Sequence, residues 1–243
     1  MLKIVLFLFF AVPFVRLALA LFWPRSLEAF ESRRAQAVIE RMFGSARREE
    51  RVESIGSRLA QAAGLDARFH VLRGPLVNAV TLPDGQVFVW EGLLTRTRQD
   101  DDMLAGVLAH ELAHLHHRHF LEQVKLVALL HALFGAWARS WPRLLIRNTV
   151  KRLVFTGYNH GREHQADATA VDILVRADFD PVGLLRVFHA LQEGAPPVGM
   201  TGTHPNTSDR IERVAEVLRA RGGSHADHAP RTVLDFPGSK EPS

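Results

Sequence analysis

The chain has 243 residues, a formal net charge of +4 and no cysteine. This length supports one sizeable core. The lack of cysteine excludes disulfides and thiolate metal ligands, so a bound metal would need His, Asp or Glu. The charge is spread along the chain, with no basic stripe interleaved with aromatic residues, which argues against a nucleic acid partner. Histidine is abundant, with 13 copies.

Residues 4–23 are apolar except for Arg16, and three interpretations of this segment compete. It is long enough to be a membrane anchor, although a charge near its middle is costly. Alternatively, Lys3 begins a cleaved signal peptide and Ala18-Leu19-Ala20 is its cleavage site. The third interpretation is a helix that packs on the folded domain. The arginines that follow an anchor favour a cytoplasmic domain, whereas a signal would export it, for example to the periplasm, so the side of the membrane stays open.

The elements that follow are mostly helical. Residues 26–65 form a helical region, with Ser26 as a candidate N-cap and a division at Gly44. Arg68–Arg73 alternates between polar and apolar residues like a short strand. Asn78–Trp90 is a hairpin because two β-prone runs flank a Pro-Asp-Gly turn.

Three aspartates, residues 100–102, precede a long apolar-periodic run, and carboxylates at this position favour a helix start. The apolar run 126–138 is too short to span a membrane and is predicted to be a core helix. Later helices are predicted from about Gly161 to Ala177, from Pro181 to Leu191, and from a cap at Asn206 or Thr207 to about Arg221. The predicted boundaries are an anchor or signal over 1–23, a folded domain over 24–222 and a disordered tail over 223–243.

The stretch His110-Glu111-Leu112-Ala113-His114 carries the clearest chemistry. On a helix, positions i and i+4 share a face, so both imidazoles can bind one zinc ion at about 2.0–2.1 Å. Glu111 would lie beside the metal. It can take a proton from water whose pKa zinc lowers to about 7, and pass it to a leaving amine.

A catalytic zinc needs a third protein ligand. His117 and Phe120 stand where a metzincin would have Gly and His, which excludes that class. Glu163 and Asp167 share one face of a later helix. Glu163 can ligate zinc, while Asp167 accepts a hydrogen bond from the far nitrogen of a ligand histidine. The alternative is a solvated acidic face, and the metal interpretation is favoured by the HExxH motif.

His116, His117 and His119 extend the motif, and a second metal site is one interpretation of them. They are predicted to be exposed helix residues, because no outside carboxylate accompanies them. The chain is therefore expected to hold one metal ion, and a His₂Glu donor set favours zinc.

Together, these motifs resemble the gluzincin peptidases of the HtpX and CAAX-prenyl-protease type, peptidase family M48. The family pattern is HExxH followed by Glu-x-x-Ala-Asp, found here at 110–114 and 163–167. Asn78-Ala79 resembles its edge-strand segment. His204-Pro205, followed by Arg210, resembles its late motif before the last helix. Asn159-His160 departs from the usual Ser-Arg. The resemblance implies a zincin-like α+β fold, mostly helical, with a small antiparallel sheet, one zinc and proteolysis at or near membranes.

The resemblance also implies roles for residues away from the predicted ligands. His204 is expected to approach the zinc, either to stabilise the oxyanion or as a removable fourth ligand; the alternative is a structural histidine in a Gly/Pro loop. The edge strand would bind an extended peptide through the backbone of Asn78 and Ala79. This predicts unfolded protein segments as substrates.

The predicted function is a zinc-dependent metalloendopeptidase that hydrolyses unfolded or membrane-associated proteins in quality control and contacts lipid through its N-terminus. One rival is a zinc-binding membrane-associated chaperone or adaptor with little hydrolysis. Glu111 argues against this rival, since an adaptor needs no general base. Another rival is a metal sensor built on the histidine cluster, which would bind more than one metal ion per chain.

Overall fold

A computed structural model describes residues 15, 18–19, 21–97, 100–123, 125, 161–193 and 208–221. Most of the N-terminal apolar segment, the apolar run 126–138, His204 and the tail 223–243 lie outside the described residues. Among the helices that are described, none combines the length and the apolar character needed to cross a membrane.

Helices dominate the described chain. In chain order they are α1 (Pro24–Phe43), α2 (Glu50–Ala63), α3 (Glu91–Arg96), α4 (Asp101–His116), α5 (161–176), α6 (Val182–Glu193) and α7 (Ser208–Arg221), with a further helical segment over 119–123. The strands are β1 (Arg68–Leu72), β2 (Ala79–Thr81) and β3 (Gln86–Trp90). The predicted fold class, mostly helical with a small sheet, is confirmed.

The division of the first helical region at Gly44 is confirmed, because α1 ends at Phe43 and Gly44 has a left-handed φ of 81°. The prediction of Ser26 as N-cap is wrong. The helix already begins at Pro24, after Trp23, because the fixed φ of proline suits the first helical position. Glu49 caps the next helix by accepting a hydrogen bond from the Val52 amide at 2.8 Å.

The sheet has the order β1-β3-β2, so β2 lies at an edge. The predicted hairpin is present as the antiparallel pair β2–β3. β1 pairs with β3 in parallel, which makes the sheet mixed rather than wholly antiparallel. The reason is geometric: β3 inserts between β1 and β2, and two chain reversals after β1 it again runs in the direction of β1.

The core surrounds α4. Its ten residues from Leu104 to Ala113 are all buried, as expected for a helix covered on every side. Asp100 caps this helix through the Met103 amide at 2.9 Å, which agrees with the predicted helix start. Arg186 of α6 binds the same aspartate at 2.8 and 3.1 Å, so α4 and α6 are joined at that end.

Two glycines let α4 and α6 approach closely. A Cβ atom on Gly106 would lie 2.9 Å from the Cα and N atoms of Leu184. A Cβ atom on Gly183 would collide with the backbone of Asp102. Backbone atoms cannot move aside as side-chain ends can, so the helix separation depends on these two positions.

We expect Gly106→Ala to lower the free energy of unfolding by about 1–3 kcal/mol, because the added methyl group forces the helices apart. Urea denaturation of the full chain measures this. Gly161→Ala is the matched control, since nothing lies within 4 Å of its added Cβ; its stability should be unchanged or raised by up to about 1 kcal/mol. Equal effects of the two substitutions would contradict the close-approach argument.

Candidate active site

Three metal-ligating side chains meet at the middle of the core. His110 and His114 come from α4 and Glu163 from α5, and they offer donor atoms that all lie within 4.8 Å of one another. The two Nε2 atoms are 3.1 Å apart. Glu163 Oε2 lies 3.3 Å from His110 Nε2, and Glu163 Oε1 lies 3.6 Å from His114 Nε2.

This spacing fits a small tetrahedral cation. Bonds of about 2.0–2.1 Å in tetrahedral geometry separate neighbouring donor atoms by about 3.3 Å. The two Nε2 atoms are 3.1 Å apart and Glu163 Oε2 lies 3.3 Å from His110 Nε2, both close to that value, while the 3.6 Å separation from His114 involves the other carboxylate oxygen. Two imidazoles and one carboxylate are also a donor set that suits zinc. The three residues therefore fit the metal that the motif implies.

Asp167 lies on the far side of His110. Its Oδ1 atom is 2.9 Å from His110 Nδ1, which leaves Nε2 directed at the other donors. A carboxylate in this position fixes the tautomer and the ring orientation of a ligand histidine. Burial lowers the pKa of His110, but its hydrogen bonds to Asp167 and Glu163 outweigh burial and raise the pKa to about 9.

Arg210 of α7, the arginine that follows the late His-Pro motif, completes the charge arrangement. Its side chain is 2% exposed. It donates to Asp167 at 2.7 and 2.8 Å and lies 3.1 Å from Glu163 Oε2. Its guanidinium also stacks over the Phe188 ring, 4.6 Å from the centroid. Burial raises the pKa of Asp167, but the bonds to Arg210 and His110 outweigh burial and hold it below its usual range.

Glu111 is buried beside the donor set, one residue along α4 from His110. The Thr81 hydroxyl donates a hydrogen bond to Glu111 Oε2 at 2.9 Å. Thr81 belongs to the edge strand β2, so this bond joins the candidate general base to the edge of the sheet. Glu111 and the edge strand are therefore in direct contact.

Asn78 and Ala79 lie at the start of this edge. Ala79 is the first residue of β2 and is buried. The Asn78 carbonyl already accepts a hydrogen bond from the Trp90 amide at 3.1 Å, toward β3. Successive residues of a strand direct their backbone groups to opposite sides. The backbone groups of Ala79 and Thr81 therefore face away from β3, toward the side of β2 on which the described residues form no strand.

The prediction that His119 is exposed is wrong. Only 6% of it is exposed, and its Nδ1 atom lies 2.8 Å from His114 Nδ1. Its Nε2 atom lies 3.1 Å from Gln165 Oε1. The chain leaves α4 at Arg118, whose φ of 52° turns the following residue back toward the helix. Helical periodicity carried past His116 could not show this turn.

The other two histidines of the cluster differ from His119. His116 is exposed, as predicted. His117 is partly buried, and its Nε2 atom lies 2.7 Å from Thr169 Oγ1. The described residues contain one group that could hold a metal ion, formed by the three donors above. The position of His204 lies outside the described residues.

A buried HExxH helix that faces a glutamate from a later helix is the arrangement of a zincin-type metallopeptidase. The chain belongs to peptidase family M48, whose profile matches residues 46–218. The family predicted from the motifs is confirmed.

Several named proteins resemble the chain. The mitochondrial metalloendopeptidase OMA1 of Schizosaccharomyces pombe is 29% identical over 155 residues, which cover 61% of this chain and 46% of that protein. The metalloprotease YcaL of Escherichia coli is 26% identical over 177 residues, 66% of this chain and 69% of YcaL. The beta-barrel assembly-enhancing protease of Yersinia pestis is 23% identical over 206 residues, which cover 76% of this chain and 41% of that protein. The chain thus spans about half the length of relatives such as OMA1.

We expect the metal-free protein to lose stability as the pH rises. The folded pKa of His110, about 9, lies above its ordinary value of 6.5, so its contribution is complete below pH 6.5 and lost as the pH passes 9. The expected loss in unfolding free energy is on the order of 3 kcal/mol. Urea denaturation in the presence of a chelator measures it. His110→Gln should abolish the decline, and an unchanged slope in this variant would contradict the assignment.

Removing Arg210 should leave two buried carboxylates without their cation. We expect Arg210→Met to lower the free energy of unfolding by about 3–5 kcal/mol. Arg213→Met on the same helix is the control, because Arg213 makes an exposed pair with Asp209 at 3.4 Å, and its loss should cost less than about 1 kcal/mol. Similar losses in the two variants, measured by denaturation, would show that Arg210 carries no special charge role.

Proposed function

We propose that this chain is a zinc-dependent endopeptidase that cleaves extended segments of unfolded or membrane-associated proteins. The observation that carries the proposal is the convergence of donor atoms from His110, His114 and Glu163 within 4.8 Å of one another, with Glu111 on the same buried helix as the two histidines. Membership of a peptidase family and the likeness to proteins named metalloendopeptidases support the reaction class.

In this proposal His110, His114 and Glu163 hold the zinc. When bound, the metal supplies Lewis-acid chemistry, activating water and polarising a peptide carbonyl. Asp167 keeps the proton of His110 on Nδ1, so that the Nε2 lone pair stays available to the metal. His110, Glu163 and Asp167 are buried, and burial strengthens their electrostatic contacts, while His114 keeps 16% of its side chain exposed.

Glu111 acts as the general base and then as the acid. It accepts a proton from the attacking water and delivers it to the amine of the leaving chain. The Thr81 hydroxyl holds one carboxylate oxygen at 2.9 Å, which restricts the rotation of the Glu111 side chain. His204, outside the described residues, is retained as the candidate for stabilising the oxyanion or for acting as a removable fourth ligand.

The substrate binds as an added strand at the free edge of β2. The outward backbone groups of Ala79 and Thr81 offer main-chain hydrogen bonds, which recognise an extended peptide without regard to its sequence. The Asn78 carbonyl is already bonded to β3, so the edge contacts fall mainly to Ala79 and Thr81. Because folded proteins seldom offer an unpaired extended segment, this mode selects unfolded substrates, as a role in protein quality control requires.

The cellular part of the proposal depends on the apolar segment 4–23. As an anchor it would hold the peptidase at a membrane surface, and as a cleaved signal it would export the domain over 24–222. The polar residues 223–243 would form a tail outside that domain.

The first test is the cleavage of casein, an unfolded protein, by the purified full chain with one equivalent of zinc. We expect Glu111→Gln to bind zinc normally and to lose at least about 100-fold in kcat, because the general base is absent. The control is Glu216→Gln, an exposed position on α7 that should keep full activity.

Two results would contradict the proposal. If the wild-type chain and Glu111→Gln both bind one zinc and neither cleaves casein, even after His204→Ala, the chain is a zinc-binding adaptor rather than a peptidase. If a folded protein is cleaved as fast as its denatured form, strand addition at β2 is wrong, although the peptidase assignment stands.

A further inference from the structure

His119 lies beyond the end of α4 and is in contact with a candidate ligand, although it is not one of the three donors. We propose that His119 is a positioning residue that fixes the ring and the tautomer of His114, with Gln165 as its own anchor. This inference rests on the proposed metal site and adds a second outer support to it.

The positions of the ring protons determine which nitrogen of each histidine donates. A contact of 2.8 Å between His114 Nδ1 and His119 Nδ1 is a hydrogen bond only if one nitrogen carries a proton and the other a lone pair. To bind a metal, His114 must present the lone pair of Nε2, so its proton is on Nδ1. His119 must therefore accept through Nδ1 and carry its own proton on Nε2.

The next contact has the polarity that this assignment requires. His119 Nε2 lies 3.1 Å from Gln165 Oε1, a carbonyl oxygen that accepts the second proton. His114 thus donates a hydrogen bond to His119, and His119 donates one to Gln165. Both imidazole rings are neutral in this arrangement, and each of their nitrogens has a single partner. The opposite direction would place a proton on His114 Nε2 and close that nitrogen to the metal.

The two ligand histidines are then supported from the same helix in different ways. Asp167 of α5 binds His110 directly at 2.9 Å and brings a negative charge. Gln165 of α5 supports His114 through a neutral ring instead. A second carboxylate at that point would add charge to a core that already holds Glu163 and Asp167, with Arg210 as the cation bound to both. Hydrogen bonds through the neutral His119 ring orient His114 without adding negative charge.

The turn at Arg118 brings His119 into contact with His114. Arg118 has a left-handed φ of 52°, a conformation that residues with a side chain rarely adopt. Its guanidinium makes two hydrogen bonds to Glu28 of α1, at 2.6 and 3.0 Å. Glu28 is itself buried on α1. The position of His119 is thus set by a contact outside the helix that carries the ligands.

The test is the zinc affinity of the full chain, measured by competition with a chromogenic chelator. We expect His119→Gln to lower the affinity about 10–100-fold, the usual effect of losing an outer-shell partner. An asparagine amide oxygen takes nearly the place of Nδ1 in histidine, so His119→Asn should keep the affinity within about threefold of wild type. Both variants remove the ring, so a purely structural role would lower the two affinities equally and overturn the proposal.

Two further variants complete the design. His116→Ala removes an exposed ring of the same cluster and should leave the zinc affinity unchanged. Gln165→Ala changes an exposed position, so this variant is the test if the His119 variants fail to fold. A zinc affinity of Gln165→Ala equal to that of wild type would overturn the proposed hydrogen-bond chain from His114 through His119 to Gln165. Wild-type protein that binds no zinc would instead refute the proposed metal site. Wild-type binding with undiminished binding in His119→Gln refutes only the role of His119.

Discussion

The buried guanidinium of Arg210 makes the donor set electrostatically possible. Two carboxylates, Glu163 and Asp167, lie buried in the core near two imidazoles, and burial by itself raises the pKa of Asp167. A protonated Glu163 would be a poor ligand for a divalent cation. Arg210 offsets one negative charge, and the proton on His110 offsets the other in the metal-free protein. In the proposed zinc-bound form, the metal would take the place of that proton, so a cation would face the carboxylates in both states.

Burial on all sides gives this charge arrangement its geometry. The two histidines and Glu111 lie on one helix, α4, whose apolar residues contact α2, the sheet and α6. Such a helix cannot rotate or slide without opening cavities or overlapping its neighbours. The third donor and the outer support Asp167 are one turn apart on α5. The donor separations are therefore set by the packing of two helices rather than by the freedom of loop residues.

Local periodicity explains how much of the site could be predicted. HExxH and the pair Glu163 and Asp167 are spacings within single helices, so the sequence displays them directly. Arg210 follows the late His-Pro motif and stands four residues before buried Val214 on one helix face, but periodicity does not indicate which buried carboxylates its guanidinium binds. His119 was assigned to the wrong environment because the turn at Arg118 depends on a contact with distant α1. The parallel pairing of β1 likewise depends on which strand inserts between two others, which strand patterns do not encode.

Thr81 connects the substrate edge of the proposed peptidase with its general base. Its backbone belongs to the free edge of β2, while its hydroxyl binds Glu111. A peptide that adds to this edge would be positioned by the same strand that orients the carboxylate. The strand would therefore fix the scissile bond and the general base relative to each other. β2 has only three residues, and its placement comes from the buried strand β3 on one side and α4 beneath. In the proposed mode, strand addition would both select extended chains and align them with the base, and this alignment is an entropic contribution to catalysis that a base alone does not supply.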